Sequence, residues 1–446
     1  MKFFNNLTKK IEDFKAPQHE LLTMYSCGPT VYDVSHVGHA RSCLVWDMLY
    51  RYLKFADYKV FWIRNITNVD DKIVKRASEL DISPDQLSRI YTFEFWHDMQ
   101  ALNISWPDAE PRATDYIAEM ISFINDLIAK GIAYEVDGDV YFRVHKHSNY
   151  GQLKGLSLAE LEKGEARVEE NTKKENKLDF ALWKSFANED YSYDSPWGKG
   201  RPGWHLECST MIKSILNKLQ LGDTLDIHSG GDDLIFPHHE NECAQSECLS
   251  ESQLARFWMH NGMVMINGKK MSKSENNFFT IKDLLAKYKA NTIRYFSLST
   301  HYKKQINFSD EALSAAQKGF DKLLASIKTV QKKSSFDSTL IQAFREAMDN
   351  DLNTPQALAL LFDKNADPAT VAYLLEVLGF DLQESAINQN NQTDTIDSLM
   401  QILLELRSTA RTNKDFATSD MIRDRLNNLG ILIKDQRDAL AQWAFN

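Results

Sequence analysis

The chain has 446 residues, 43% of them hydrophobic, and a net charge of −10, with 52 Lys and Arg against 62 Asp and Glu. That is room for two to four domains, and it excludes a general basic coat, so any nucleic acid must be met by local patches. Five cysteines, an odd number, argue against a disulfide framework and for a reducing, cytoplasmic setting, no apolar signal segment opens the chain at Met1-Lys-Phe-Phe-Asn-Asn-Leu7, and no apolar run is long enough to span a bilayer.

In chain order, 21–26 reads as a buried strand that ends in the turn Cys27-Gly-Pro-Thr30. After His36-Val-Gly-His39, apolar residues at 44, 45, 48, 49, 52 and 53 recur at helical spacing, and 59–63 forms a second strand. Strand, helix, strand is a βαβ unit, which predicts a parallel sheet. Ligands bind such sheets at the carboxyl ends of the strands, where Cys27, His36, His39 and Thr67 fall. Residues 113–200 read as an insertion, with a helix at 115–130, short strands around 139–143 and a charged loop at 160–177. The parallel-sheet pattern is expected to resume at Gly203-Trp204-His205 and at 225–228, with a further strand-like run at 262–267. Beyond 310 the pattern is helical, at 311–330, 338–350 and 354–360. An Asn, Gln and Thr-rich stretch, 386–395, reads as a linker. The last fifty residues suggest two helices and a strand at 430–434.

Four residues scattered along the chain can make a metal site: Cys27, Cys208, His238 and Glu242. His238 and Glu242 are four apart in what reads as the first turn of a helix, so they share a face. Cys27 and Cys208 lie at turn-like places. Thiolate, imidazole and carboxylate suit Zn²⁺ in tetrahedral geometry; the alternative is free cysteine acting as a small buried hydrophobe. His36-Val-Gly-His39 precedes a helix whose N-terminus offers N–H groups to phosphate, and Gly38 lets backbone come close. Two imidazoles there can donate to phosphate oxygens, or they are ordinary loop histidines. Lys269-Lys-Met-Ser-Lys-Ser274 is a lysine and hydroxyl loop able to neutralise a polyphosphate, or simply a solvated run. The two motifs in this order, the first on a βαβ unit, are more specific than either alone.

With these motifs the chain resembles the class I aminoacyl-tRNA synthetases and is similar, among them, to the cysteinyl-tRNA synthetase family. The matching stretches include Tyr25-Ser-Cys-Gly-Pro-Thr-Val-Tyr-Asp33, Arg64-Asn-Ile-Thr-Asn-Val-Asp-Asp-Lys72, Gly203-Trp-His-Leu-Glu-Cys-Ser209, Asp226-Ile-His-Ser-Gly-Gly231 and Phe236-Pro-His-His-Glu-Asn-Glu242. The resemblance implies an α/β fold: a Rossmann-like parallel-sheet catalytic domain with an insertion, then a helical bundle and a small C-terminal module. Its expected boundaries are 1–112 and 201–250 for the two catalytic halves and 113–200 for the insertion. The Lys-Met-Ser-Lys loop and stem-contact region would take 251–309, a DALR-like bundle 310–385 and an anticodon-binding module 396–446. It implies one zinc per chain on Cys27, Cys208, His238 and Glu242, and a cysteine pocket of Thr67, Trp204 and His228. ATP, with Mg²⁺, would be bound by Pro29, Gly38, His39 and Lys273, with His36, His39, Lys270 and Lys273 catalytic. The implied partners are L-cysteine, ATP and tRNA(Cys), with no membrane, and the expected state is a monomer. Arg411, Lys414, Arg423, Arg425 and Trp443 are candidates for tRNA contact, Trp443 equally for a core residue. The chain departs from the family pattern at Glu275-Asn276-Asn277 and at Asp232. A cysteine ligase acting on an amino sugar would lack the region from about 310 onward, a nucleotidyltransferase would not need the zinc quartet, and a synthetase-like binding protein with structural zinc would not need His36, His39 and Lys273.

Overall fold

The computed structural model describes residues 1–15, 20–163, 173–186, 191–270, 278–327, 336–428, 431–436 and 439–445. They form two compact units, Met1–Phe380 and Asp381–Asn446. The centre of the first is a four-stranded, all-parallel sheet in the order Ala255–Asn261, Leu225–Gly231, Leu21–Ser26, Lys59–Arg64. From the first strand in sequence the chain crosses outward to Lys59–Arg64; from Leu225–Gly231 it crosses the other way to Ala255–Asn261. The reversal point lies between Leu21–Ser26 and Leu225–Gly231, and a crevice opens there outside the carboxyl ends.

The βαβ unit is present, with the helix Val37–Phe55 crossing between the first two strands. Its apolar face, Leu44, Val45, Met48, Leu49 and Leu53, is buried. Beyond Pro202 the structure differs from the expected strand. Trp204 opens the helix Trp204–Leu219, and Gly200–Pro202 is instead the last strand of a separate antiparallel sheet in the insertion. The helical spacing of Cys208, Met211, Ile212, Ile215 and Leu216, all buried, decides it. Cys208 therefore sits on a helix, not in a turn. Gly203 permits the approach: a Cβ there would lie 2.0 Å from the Ala181 carbonyl oxygen. This helix covers the sheet through Met211, Ile212 and Leu216 against Tyr25, Ile63 and Trp258. Each such side chain contributes about 1.5–3 kcal/mol.

Helices Asp310–Ile327, Ser338–Asp349, Thr354–Leu360 and Pro368–Val377 complete the first unit. In the second, the stretch read as a linker is part of one long helix, Leu382–Thr412. Residues 386–395 contain neither Gly nor Pro to stop it. A second helix, Phe416–Asn428, leads to a hairpin of Ile431–Gln436 with Ala439–Phe445. No helix among the described residues is long and apolar enough to cross a membrane.

One buried network holds the helix Val37–Phe55 in place. Asp47 is fully buried; it accepts from Arg294 Nη1 at 2.7 Å, from Arg51 Nε at 3.0 Å and from the Ser105 N–H at 2.9 Å. Burial alone would raise this carboxyl, but Arg294, Arg51 and the Ser105 N–H outweigh it and hold it below its usual range. Its stabilisation is thus present above the ordinary carboxylate value of about 4 and is lost as pH falls below it. Asp47→Asn leaves Arg294 buried without its counter-charge, an expected loss of about 3–5 kcal/mol at neutral pH. Denaturant unfolding checks this, and the acid limb of stability should flatten in the variant.

Candidate active site

The reversal of strand order places a cleft of about 330 Å³ above the sheet. Cys27, Pro29, His36, Gly38, His39 and Trp204, all singled out from sequence, line it. His36 caps the helix Val37–Phe55, and its Nδ1 accepts from the Gly38 and His39 N–H groups at 3.1 and 3.4 Å. His39 Nδ1 accepts from the His36 N–H at 3.3 Å. The rings stack with centroids 3.8 Å apart. With Nδ1 as acceptor in both, the ring proton lies on Nε2, the donor side. Burial, with the neighbouring His36, pushes the His39 imidazole well below its usual pKa, so it stays neutral.

Beneath the cleft the four residues Cys27, Cys208, His238 and Glu242 converge, their ligand atoms all within 4.8 Å of one another. The two sulfurs are 3.9 Å apart. Cys208 Sγ to His238 Nε2 is 3.7 Å, Cys27 Sγ to Glu242 Oε1 3.6 Å, and His238 Nε2 to Glu242 Oε1 3.0 Å. In tetrahedral zinc the corresponding edges are about 3.8 Å for S–S, about 3.5 Å for S–N or S–O and about 3.3 Å for N–O. The donor set and its spacing therefore fit zinc. Burial pushes the Cys27 thiol well up and the His238 imidazole well down. A cation would favour the opposite, thiolate form of each cysteine. His205 Nδ1 meets His238 Nδ1 at 2.9 Å and Trp204 stacks on the same ring at 4.0 Å, fixing its orientation.

His228 Nε2 meets Glu242 Oε2 at 2.9 Å, and its ring lies on Trp258, 4.3 Å between centroids. Thr67 is pinned behind the Pro29–Val31 loop, with its N–H on the Pro29 carbonyl and its carbonyl on the Val31 N–H, both 3.1 Å. Neither His228 nor Thr67 lines the cleft itself. Lys270 closes a two-residue strand against Val264–Ile266. Lys273, with Glu275, Asn276 and Asn277, lies outside the described residues.

Three residues were not anticipated. His239 Nε2 comes within 3.3 Å of Cys27 Sγ, and Cys27, His228, His239 and Glu242 form a second convergent set. The first set has two sulfurs and is the better match to zinc. Asp233 and Lys72 line the cleft. Asp233 lies two residues beyond the strand end Gly230-Gly231, a placement in the sequence that could have flagged it.

The family described as tRNA synthetases class I (C) catalytic domain matches residues 13–318. The DALR domain matches 343–366, and the cysteinyl-tRNA ligase anticodon binding domain matches 395–443. A cysteine–tRNA ligase of Pseudothermotoga lettingae is 42% identical, covering 98% of this chain and 97% of its own length. One of Shewanella baltica is 44% identical, covering 98% of each. This chain belongs to the cysteinyl-tRNA synthetase family. Among solved structures, methionyl-tRNA synthetase of Mycobacterium tuberculosis in complex with methionyl-adenylate shares the fold at 17% identity, with a TM-score of 0.57 over 80% of this chain and 89% of that one. The family membership makes the chain a class I tRNA ligase.

The loop carrying Cys27 rests on a close backbone contact. A Cβ on Gly28 would lie 1.7 Å from the Asn65 carbonyl oxygen, and the Gly28 N–H donates to Asn65 Oδ1 at 2.9 Å. Gly28→Ala should therefore push the loop off its seat and cost about 1–3 kcal/mol, read by thermal unfolding.

Proposed function

We propose that the chain attaches L-cysteine to tRNA(Cys) with ATP, by way of a cysteinyl-adenylate. The observation that carries the reading is the sulfur-rich quartet directly under the His36 and His39 cleft. Cys27, Cys208, His238 and Glu242 would hold zinc. A bound zinc would supply a preference for sulfur over oxygen, which separates cysteine from its near-isostere serine where a steric pocket does so poorly. Trp204 and the Cys27 loop wall the amino-acid end, with Thr67 and His228 supporting it from below.

Attack of the cysteine carboxylate on the α-phosphorus forms the acyl-phosphate bond and breaks the bond to pyrophosphate. Mg²⁺ would accompany the nucleotide. His36 and the neutral His39 donate from Nε2 toward the phosphates, and Gly38 lets the backbone come close to them. Asp233, in the cleft lining, can accept from the ribose hydroxyls. Lys270 and Lys273 would add positive charge as negative charge builds. In the second step a terminal adenosine hydroxyl of tRNA attacks the adenylate carbonyl and releases AMP. Arg411, Lys414, Arg423 and Arg425, exposed in the second unit, suit tRNA phosphates. Trp443 pairs by its backbone with Ile433, and its side chain lies outside the described residues. Two free thiols in the quartet call for a reducing compartment, the cytosol.

Cysteine-dependent ATP–pyrophosphate exchange, run beside serine, tests the reading. Exchange with cysteine and none with serine is expected; equal exchange would defeat it. Metal analysis should give one zinc per chain, lowered in Cys208→Ala; unchanged zinc in that variant would dismiss the quartet. In Lys273→Ala, kcat should fall by roughly 10²-fold with little change in KM for cysteine, as for removal of one charge-stabilising donor. Full activity there would transfer the role to Lys270 or Lys269.

A further inference from the structure

Arg41, two residues after His39, is 2% exposed, and among the described residues it faces no carboxylate. Its Nη1 donates to the Ser297 carbonyl and, at 2.9 Å, to Ser297 Oγ. Its Nη2 reaches the carbonyls of His301 and Tyr302 at 3.3 Å and that of Thr300 at 3.5 Å. These are the last carbonyls of the helix Ala290–Leu298 and of the turn after it, groups that no intrahelical N–H satisfies. A planar fork of donors is what several divergent carbonyls require, and a cation is favoured at a helix C-terminus.

The turn in question also holds the far wall of the cleft. The Tyr302 carbonyl accepts the Gly262 N–H at 2.8 Å, and the Met263 carbonyl accepts the Ile306 N–H at 3.1 Å. Val264 and Ile266 pair with Ile306 and Phe308. Gly262 packs so closely that a Cβ would lie 2.4 Å from Lys304 backbone carbon. Asn261, Gly262, Met263 and Val264 line the same cleft as His36, Gly38 and His39. Tyr302 carbonyl is thus the shared point of two bonds, one from each wall.

We infer that Arg41 is a positioning residue that sets the width of the nucleotide cleft, holding the His36 and His39 helix start against the Gly262–Val264 wall through the 297–302 turn. Arg41 does not line the cleft; it acts through the backbone beside it. The helix itself is packed by Leu44, Val45, Met48 and Leu53, so a lysine at 41 keeps the charge and the core but cannot span Ser297 and Tyr302 together. The inference rests on reading the cleft as the ATP site.

The test is Arg41→Lys in the full chain, with thermal unfolding, zinc content, and exchange kinetics against ATP and cysteine separately. The variant should stay folded with full zinc, lose about 10- to 100-fold in kcat/KM for ATP, and keep KM for cysteine within about twofold, because displacement on the order of 1 Å costs that much in rate while the quartet and its surroundings are untouched. Should it be unfolded at the assay temperature, Ser297→Ala, which removes only the Oγ bond, must show a smaller loss confined to ATP. Undiminished kcat/KM for ATP in a folded variant, or equal losses toward both substrates, overturns the inference. Absence of cysteine-dependent exchange in the unaltered chain would instead overturn the assignment of the cleft.

Discussion

Everything about the site depends on burying a carboxylate between two imidazoles and two thiols. Glu242 has no exposed surface, and Cys208, His238 and His228 have almost none. Such a group is costly to bury unless each oxygen is met. Here Oε1 faces His238 and Cys27, and Oε2 faces His228. The parallel sheet makes this affordable: its carboxyl ends supply Cys27 and the His228 strand, and two helices packed on it supply Cys208 and Glu242. No local segment could hold these groups together, since each needs the others as partners.

The same logic of distant partners governs the helix Val37–Phe55. At its start, His36 and His39 exchange bonds with backbone; two residues on, Arg41 spends its donors on carbonyls; farther along, Asp47 gathers Arg51 and Arg294. The helix that presents two imidazoles to the cleft is therefore anchored by charge and dipole along one half of its length. Precision at the cleft comes from these anchors, since apolar packing alone is less directional.

Much of this was legible in the sequence because the chemistry was carried by residue type and spacing. The i and i+4 spacing of His238 and Glu242 placed them on one face, and they stand 3.0 Å apart. The βαβ unit followed from apolar periodicity. What could not be read was whatever depended on tertiary partners. Gly203-Trp204-His205 looked extended because helix and strand periods are hard to separate over three residues; only the buried run through Leu216 shows the helix. The Asn and Gln-rich stretch looked like a linker by composition, although nothing in it breaks a helix. His239 hid beside His238, its approach to Cys27 and its 2.7 Å contact with His260 created by folding alone.

The quartet has a temporal side as well. Its members lie at 27, 208, 238 and 242 of 446 residues. A ribosome making this chain must pass the midpoint before the last ligand exists, and until then Cys27 has neither its carboxylate nor its imidazole neighbours. The turn after the N-terminal strand thus carries an unmatched thiol throughout that interval. The four groups can converge only after the midpoint of synthesis, once Leu225–Gly231 joins the growing sheet and the helix Glu240–Ser250 docks behind it.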